Sequence, residues 1–221
     1  MEYGMKVVAL LNQKGGVGKT TLSLHLASAL AGDSSRVLLI DADPQHSSLD
    51  WAAQRDESAP FDVIGLPKPI LHRQIATLGS NYDWIIIDGP PRVNELARSA
   101  IAASDLIVIP VQPSPYDVWA AKDIVDIIRE CEITRPEVLY RFLVNRLFPK
   151  TVLANEVTDA LAEFDMPIFN TIIHNRTEYA KSARIGMTAL ETKPGGVAAI
   201  EIRMLAKEIQ VVLESAYGKH N

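Results

Sequence analysis

The feature that most constrains the fold of this 221-residue chain is an apolar run that leads through a glycine-rich loop into a helical pattern. Residues 6–11 read KVVALL, the next seven residues include three glycines, and an apolar helical pattern begins at Lys19. Glycines allow the backbone to wrap closely around phosphate oxygens, and the N–H groups at the start of a helix point towards the anion. The loop ends in Gly18, Lys19 and Thr20, which match the last three positions of the general pattern G-x-x-x-x-G-K-[ST]. We therefore predict a phosphate-binding loop.

Short runs rich in Val, Ile and Leu alternate with helical patterns along the rest of the chain. Such runs are typical of strands that are buried on both faces of a sheet. We predict an α/β fold, in which helices cover both faces of a mostly parallel central sheet. No Gly-, Ser- or Pro-rich linker divides the chain, so residues 1–221 are predicted to form a single domain. Strands are predicted at 6–11, 36–40, 83–88, 106–111, 139–144 and 167–173, and helices at 19–31, 93–103, 117–131, 153–163 and 197–216.

Composition excludes several classes of protein. Cys131 is the one cysteine, so an internal disulfide framework or a cysteine-rich metal cluster within one chain is excluded. No apolar run reaches the roughly 18 residues of a membrane span, and no signal segment precedes the first apolar run. We therefore expect a cytoplasmic protein. Its net charge of −5 means that nucleic-acid binding would need a local basic patch.

The loop–helix junction carries side chains that suit a nucleoside triphosphate and Mg²⁺. Lys19 is placed to bridge β- and γ-phosphate oxygens, the Thr20 hydroxyl to ligate Mg²⁺, and Thr21 to reach the α-phosphate. This chemistry gives no role to the second lysine of the loop, Lys14. The predicted nucleotide-binding residues of the loop are Gly15, Gly16, Val17, Gly18, Lys19, Thr20 and Thr21.

Three aspartates follow predicted strands and are candidates for the metal. Asp41 and Asp43 come at the end of the second strand, in LLIDADPQ, and Asp88 ends the third, in WIIIDGPP. Open α/β sheets bind their ligands at this end of the strands. Asp88 would hold Mg²⁺ through a water molecule. The i, i+2 spacing of Asp41 and Asp43 predicts that their side chains point the same way.

These motifs together resemble the ParA/MinD family of deviant Walker A ATPases. KGGVGKTT resembles the family's Walker A box, DADPQ its switch I segment, and IDGPP its Walker B strand and switch II entry. PVQPSPYDVWA resembles the proline-rich turn that leads to an interface helix in that family. The resemblance covers essentially the whole chain. It is nearest to small ParA-type partition proteins that lack an N-terminal helix-turn-helix.

The resemblance implies a role for the unexplained lysine. In the family, the first lysine of the box reaches across an ATP-dependent dimer, so Lys14 would contact the phosphates bound by the partner subunit and stabilise charge on the transferring group. Lys14, Lys19 and Asp43 are then the predicted catalytic residues, and Asp43 would position or activate the attacking water. Asp41 would support the Mg²⁺ shell together with Thr20 and Asp88.

The resemblance also implies a residue that recognises the base. Asn145 in FLVNRL stands where the family uses an asparagine to recognise adenine. Its neighbour Arg146 either stacks on the base or is solvated, and the sequence leaves both alternatives open.

The C-terminal third resembles the closing segment of small ParA proteins. Between residues 176 and 207, six basic residues stand against three acidic ones, a local net charge of +3. In the family, basic residues here bind DNA without sequence preference, and such binding weakens strongly with salt. A mixed-charge surface without DNA binding is the alternative. The residues predicted to contact DNA are Lys181, Arg184, Arg203 and Lys207.

The expected function is that of a small partition ATPase, with ATP and Mg²⁺ as cofactors. An ATP-dependent homodimer would hold nonspecific DNA on the nucleoid. A ParB-like or other centromere-binding adaptor would stimulate slow hydrolysis, so that a plasmid, chromosome or other cargo is segregated or positioned. No membrane partner is expected, because the last helical pattern mixes Glu with Lys and Arg and does not resemble a basic membrane anchor. Two alternatives stay open: a MinD-like positioning ATPase on a membrane or protein surface, and a metabolic enzyme of the same superfamily.

Overall fold

One parallel sheet organises the molecule. The computed structural model describes residues 4–32, 35–92, 95–148 and 153–218. Within these ranges the strands are β1 (Lys6–Leu10), β2 (Val37–Asp41), β3 (Asp62–Gly65), β4 (Trp84–Asp88), β5 (Leu106–Val111) and β6 (Leu139–Val144). They pair in the order β3–β2–β4–β1–β5–β6, and every pair is parallel. The predicted α/β class with a parallel central sheet is confirmed.

Helices cover both faces of the sheet because strand side chains point alternately to opposite sides. The described helices are α1 (Lys19–Ala31), α2 (Ser47–Ala53), α3 (Leu71–Leu78), α4 (Glu95–Ala103), α5 (Pro115–Glu132), α6 (Leu153–Ala162), α7 (Thr177–Ala183), α8 (Ala189–Thr192) and α9 (Val197–Tyr217). Val8 and Leu10 of β1 pack into one apolar layer, and Val7 and Ala9 pack into the other. The first layer contains side chains of α1 and α9, and the second contains side chains of α4 and α5.

The register of the sheet brings the candidate residues to one edge. Asp88 at the end of β4 pairs with Leu10 of β1 on one side and with Asp41 of β2 on the other. The glycine-rich loop that follows β1 therefore lies beside the carboxylates of two neighbouring strands. This is the edge at which open α/β sheets bind their ligands.

The strand predicted at 167–173 is wrong. The segment forms only isolated bridges to the region of β6, at Phe142–Ile168 and Leu147–His174. Between these bridges the N–H groups of Asn170 and Thr171 donate to the Glu208 carboxylate of α9, at 2.7 and 2.9 Å. These two N–H groups are therefore not available for the backbone hydrogen bonds that a continuous strand would form with β6.

The other predicted elements agree with the structure to within two residues, apart from the helix at 93–103, which is described from Glu95 onwards. Prediction missed β3 and the short helices α2, α3, α7 and α8. β3 lies at the sheet edge with partly exposed side chains, so it lacks the continuous apolar run of the central strands. The four helices have only four to eight residues each, too few for a clear helical period.

Candidate nucleotide-binding site

The loop after β1 has the backbone conformation that its glycines allow. Gly16 and Gly18 have φ angles of +77° and +97°, which side chains other than glycine's rarely adopt. Gly18 is also closely packed, since a Cβ atom there would lie 2.6 Å from Asn145 Nδ2. The loop departs from the general pattern at Gln13, which stands where that pattern has its first glycine. The glycines that the geometry requires are therefore Gly16 and Gly18.

Lys19 opens helix α1 with its ammonium turned into the loop. The side chain is buried, and its Nζ donates to the carbonyl oxygens of Asn12, at 3.1 Å, and Lys14, at 3.4 Å. Burial lowers the pKa of Lys19, and the charges of Asp88 and Asp43 act in the opposite direction. Among the described residues, the hydrogen-bond partners of this buried ammonium are neutral carbonyl oxygens, so it is well placed to accept an anion.

Asp88 and Asp41 form a buried pair across adjacent strands. Asp88 accepts hydrogen bonds from the hydroxyls of Ser48, at 2.8 Å, and Ser23, at 3.4 Å. Burial raises the pKa of Asp88 to about 7, against hydrogen bonds from Thr20 and Ser48 that lower it. Both predicted metal-site carboxylates therefore lie at the loop, and Thr20 contacts one of them.

Asp41 organises the start of α2 and the residue after the strand. Its carboxylate accepts the backbone N–H groups of Asp43, Ser48 and Leu49, at 2.9 to 3.1 Å. Burial raises the pKa of Asp41, and these three N–H groups lower it. Asp43, two residues after Asp41, is also buried, and its carboxylate accepts the N–H of Gln45 at 2.9 Å. Asp41 thus fixes the backbone that carries Asp43.

The oxygen donors at this edge suit a hard cation. Among the residues that the structure describes, no three His, Cys, Asp or Glu side chains are grouped as a metal cage. Mg²⁺ does not need one, because it is commonly bound by one or two carboxylates together with substrate phosphates and water. The Thr20 hydroxyl and the Asp41 and Asp88 carboxylates therefore fit a magnesium ion that arrives with a nucleotide.

Asn145, at the end of β6, lines a cavity beside the loop. Its Nδ2 donates to the Val17 carbonyl at 2.7 Å, and the side chain is buried. Arg146 has a φ of +57° and donates from Nη1 to the Gly16 carbonyl at 2.7 Å. Both residues line a cavity of about 430 Å³ with Gly18 and Thr21 of the loop. This volume lies within the range of small-molecule sites, roughly 300 to 1,000 Å³.

Lys14 points away from the loop and into helix α5. Its Nζ contacts the Asp117 Oδ2 of the same chain at 2.6 Å, while its own N–H donates to Asn12 Oδ1 at 2.9 Å. The Lys14 side chain is 39% exposed, whereas that of Asp117 is 3% exposed. The other oxygen of Asp117 has no hydrogen-bond partner among the described residues. The two lysines of the loop are therefore held by different elements.

Asn12, Ser48 and Asp117 are among the residues of this site that sequence reasoning missed. Asn12 holds both lysines of the loop, Ser48 contacts Asp88, and Asp117 contacts Lys14. Only Asn12 had a local signal, because it directly follows the first predicted strand. The other two come from distant segments.

The four basic residues predicted to contact DNA are exposed on α7 and α9 or next to them. Arg203 and Lys207 line one cavity of about 540 Å³, and Arg203 also donates to the Pro194 carbonyl at 2.6 Å. Two other basic residues of the segment are engaged by carboxylates, Arg176 by Glu201 and Lys193 by Glu178. In the described part of the chain, no helix is both long and apolar enough to traverse a lipid bilayer.

Comparisons with known proteins show the family and the fold of the chain. The family profile described as "CobQ/CobB/MinD/ParA nucleotide binding domain" matches residues 8–189. The chain is similar to Maintenance of carboxysome distribution protein A of Gloeobacter kilaueensis, with 32% identity over 92% of this chain and 94% of that protein. It is also similar to the chromosome-partitioning ATPase Soj of Thermus thermophilus, with 30% identity over 95% of this chain and 97% of that protein. The septum site-determining protein MinD of Pyrococcus horikoshii, solved with Mg-ADP, shares the fold with a TM-score of 0.75 at 18% identity, over 96% of this chain and 98% of that one.

Proposed function

The chain belongs to the CobQ/CobB/MinD/ParA nucleotide-binding domain family, and from this premise we propose that it is an ATP-dependent dimerising switch. It binds ATP and Mg²⁺, closes a homodimer on ATP, holds nonspecific DNA in that state and hydrolyses ATP slowly. A ParB-like adaptor on the cargo stimulates hydrolysis and releases the DNA. The protein thereby segregates or positions a plasmid, a chromosome or another cargo on the nucleoid.

ATP and Mg²⁺ are supported by the donor set at the sheet edge. Lys19 offers a buried ammonium to the phosphates, and Thr20 and Asp88 offer oxygens to the metal. Asn145 and its cavity receive the base. A solved relative with the same fold carries Mg-ADP.

The observation that carries the dimeric switch is the separation of the two loop lysines. Lys19 is buried in its own phosphate loop, whereas Lys14 is partly exposed and turned onto α5 by Asp117. One lysine is enough for the chain's own phosphates. Lys14 is therefore available for the phosphates of a second subunit, where it stabilises charge on the transferring phosphoryl group.

The positions of the two remaining catalytic residues support slow hydrolysis. Asp43, which positions the attacking water, is engaged by the N–H of Gln45. Lys14 is engaged by Asp117. Both side chains must move before the transition state is stabilised, and the adaptor would promote that movement. Steady-state turnover with and without the cognate adaptor and DNA tests this step, and fast basal turnover would contradict it.

The exposed basic residues on α7 and α9, or next to these helices, support DNA as the surface to which the ATP-bound dimer binds. Lys181, Arg184 and Lys207 form no ion pair with any residue that the structure describes. A dimer would present two sets of four basic residues, and about eight phosphate contacts make affinity fall on the order of 10⁴-fold between 50 and 200 mM salt. The curated relatives act in chromosome partitioning and carboxysome distribution. Both names describe the movement or placement of a large cargo, which supports the same class of function here.

The experiment measures binding of a labelled random-sequence duplex with ADP, with ATP, and with ATP plus Lys14→Ala, at two salt concentrations. Binding should require ATP, weaken with salt and fall in Lys14→Ala. A double variant, Arg203→Glu with Lys207→Glu, should lose DNA binding but still form the ATP dimer. Lys68→Glu with Arg73→Glu makes the same change of charge at exposed residues of another segment and should have little effect. If ATP-dependent dimers bind anionic vesicles but do not bind DNA, the result would instead favour the alternative of a positioning ATPase on a membrane surface.

A further inference from the structure

His46 is a strained residue three positions after Asp43. Its φ of +57° lies in the left-handed region, which costs free energy for residues with a Cβ atom and little for glycine. Its ring carries a second penalty, because Nδ1 is buried and finds no hydrogen-bond partner among the residues that the structure describes. Backbone strain of this kind persists only where the surrounding structure imposes it, and it clusters at active sites and switch regions.

Hydrogen bonds around Asp43 impose the strained conformation. The N–H of His46 donates to the Asp43 carbonyl at 3.0 Å, and the N–H of Gln45 donates to the Asp43 carboxylate at 2.9 Å. The carbonyl of His46 accepts the N–H of Asp50, in the first turn of α2, at 2.9 Å. We call residues 43–46 in this conformation the resting turn. The strain at His46 therefore belongs to the same turn that engages the Asp43 carboxylate.

The resting turn is anchored at both ends, so the strain cannot relax locally. The Asp41 carboxylate accepts the N–H of Asp43 at the start of the turn and two N–H groups from the beginning of α2 after it, at 2.9 to 3.1 Å. The ring of His46 faces the end of β3, where a Cβ atom on Gly65 would lie 3.9 Å from Nδ1. Relief of the strain therefore requires that the turn itself opens, which frees the Asp43 carboxylate.

We propose that His46 is a positioning residue for ATP hydrolysis, whose strain makes the resting turn easier to open and so lets Asp43 reach the attacking water. The inference rests on the proposed function, because it requires that Asp43 positions that water and leaves Gln45 to do so. A residue that relieves the strain stabilises the resting turn and slows hydrolysis. The expected signature is a variant that is more stable but less active, with an unchanged KM for ATP.

The test compares His46→Ala with His46→Gly in the 221-residue chain. Both variants lack the ring, and they differ in the Cβ atom that makes the left-handed backbone costly. We expect kcat to be about fivefold lower in His46→Gly than in His46→Ala at an unchanged KM. His46→Asn should lie between them, because asparagine tolerates the left-handed region better than alanine. Amide hydrogen exchange at residues 45 and 46, measured by NMR without nucleotide, should be slower in His46→Gly than in His46→Ala.

Asp165 supplies the matched control, because it is exposed, lies three residues after α6 and has a φ of +56°. Asp165→Ala and Asp165→Gly differ by the same backbone strain. In urea unfolding, the glycine variant should therefore have the higher unfolding free energy at both positions. The kcat values of the two Asp165 variants should be equal.

The outcomes separate the inference from the proposed function. Wild-type turnover in Asp43→Ala would overturn the catalytic role proposed for Asp43. If Asp43→Ala is inactive but His46→Ala and His46→Gly have equal kcat values, only the inference about His46 is overturned. The same drop in kcat from Asp165→Ala to Asp165→Gly would also overturn it, because the effect would then not be specific to the resting turn.

Discussion

We predict that the stability of the fold around helix α1 depends on pH through His25. The ring is buried in α1, where its Nε2 accepts the N–H of Ala189 at 2.9 Å and its Nδ1 lies 2.7 Å from the Thr21 carbonyl. These two backbone partners assign the proton of the neutral ring to Nδ1. Burial lowers the pKa of His25 from 6.5 to about 4. Protonation would place a second N–H against the amide of Ala189 and break the contact between α1 and α8.

The size of the effect follows from proton linkage. The folded-state pKa lies below the unfolded value, so the stability from neutral His25 is present above pH 6.5 and is lost as pH falls towards 4. For pKa values of about 6.5 unfolded and 4 folded, lowering the pH from 7 to 5 costs about 2 kcal/mol of unfolding free energy. Asp88 acts in the opposite direction over this range, because its folded pKa is raised.

The assay is urea unfolding at pH 7 and pH 5 for wild type and His25→Gln. Glutamine keeps a carbonyl acceptor and an N–H donor but does not titrate, so contributions from Asp88 and the other groups cancel in the comparison. Wild type should lose about 2 kcal/mol more than His25→Gln between the two pH values. Equal losses in the two proteins would refute the assignment of a buried, neutral His25.

Three further predictions concern the candidate site. Gly18→Ala should abolish ATP binding and lower the unfolding free energy by about 1–2 kcal/mol, because residue 18 has a positive φ and a Cβ atom there would meet Asn145. Gly15→Ala is the control, since residue 15 has open space around it and no positive φ. Urea unfolding should show a change of under about 0.5 kcal/mol for Gly15→Ala. Asp88→Asn should lose Mg²⁺-dependent ATP binding, measured by calorimetry. The same variant should have a higher unfolding free energy than wild type, and the increase should be about 2–3 kcal/mol larger at pH 8 than at pH 5. The reason is that burial penalises the ionised carboxylate of wild type above its raised pKa. Asp117→Asn should release Lys14 and tighten ATP-dependent dimerisation several-fold in sedimentation, and a weaker dimer would contradict the idea that Asp117 restrains Lys14.

The sheet and its ligand edge were predictable because both follow from local pattern. Continuous apolar runs marked the central strands, and the neighbouring positions of Asp41 and Asp88 follow from aspartates at the ends of parallel strands. The partner of Lys14 was not predictable, because Asp117 is 103 residues away and only the packing of α5 against the loop brings them together. The interruption at Asn170 likewise depends on Glu208, which lies 38 residues further along the chain.

The central claim is that Lys14 acts on the nucleotide of the other subunit, and mixing two inactive variants tests it most directly. Lys14→Ala lacks the trans lysine, and Asp43→Ala lacks the residue that positions water, yet each retains a nucleotide site. If Lys14 acts in trans, a mixed dimer has one complete site, which combines Asp43 of one subunit with Lys14 of the other. An equimolar mixture should then recover about a quarter of wild-type ATPase activity, since half of the dimers are mixed and each has one working site. No recovery, with mixed dimers present, would show that Lys14 and Asp43 must belong to the same chain and would contradict the proposed switch.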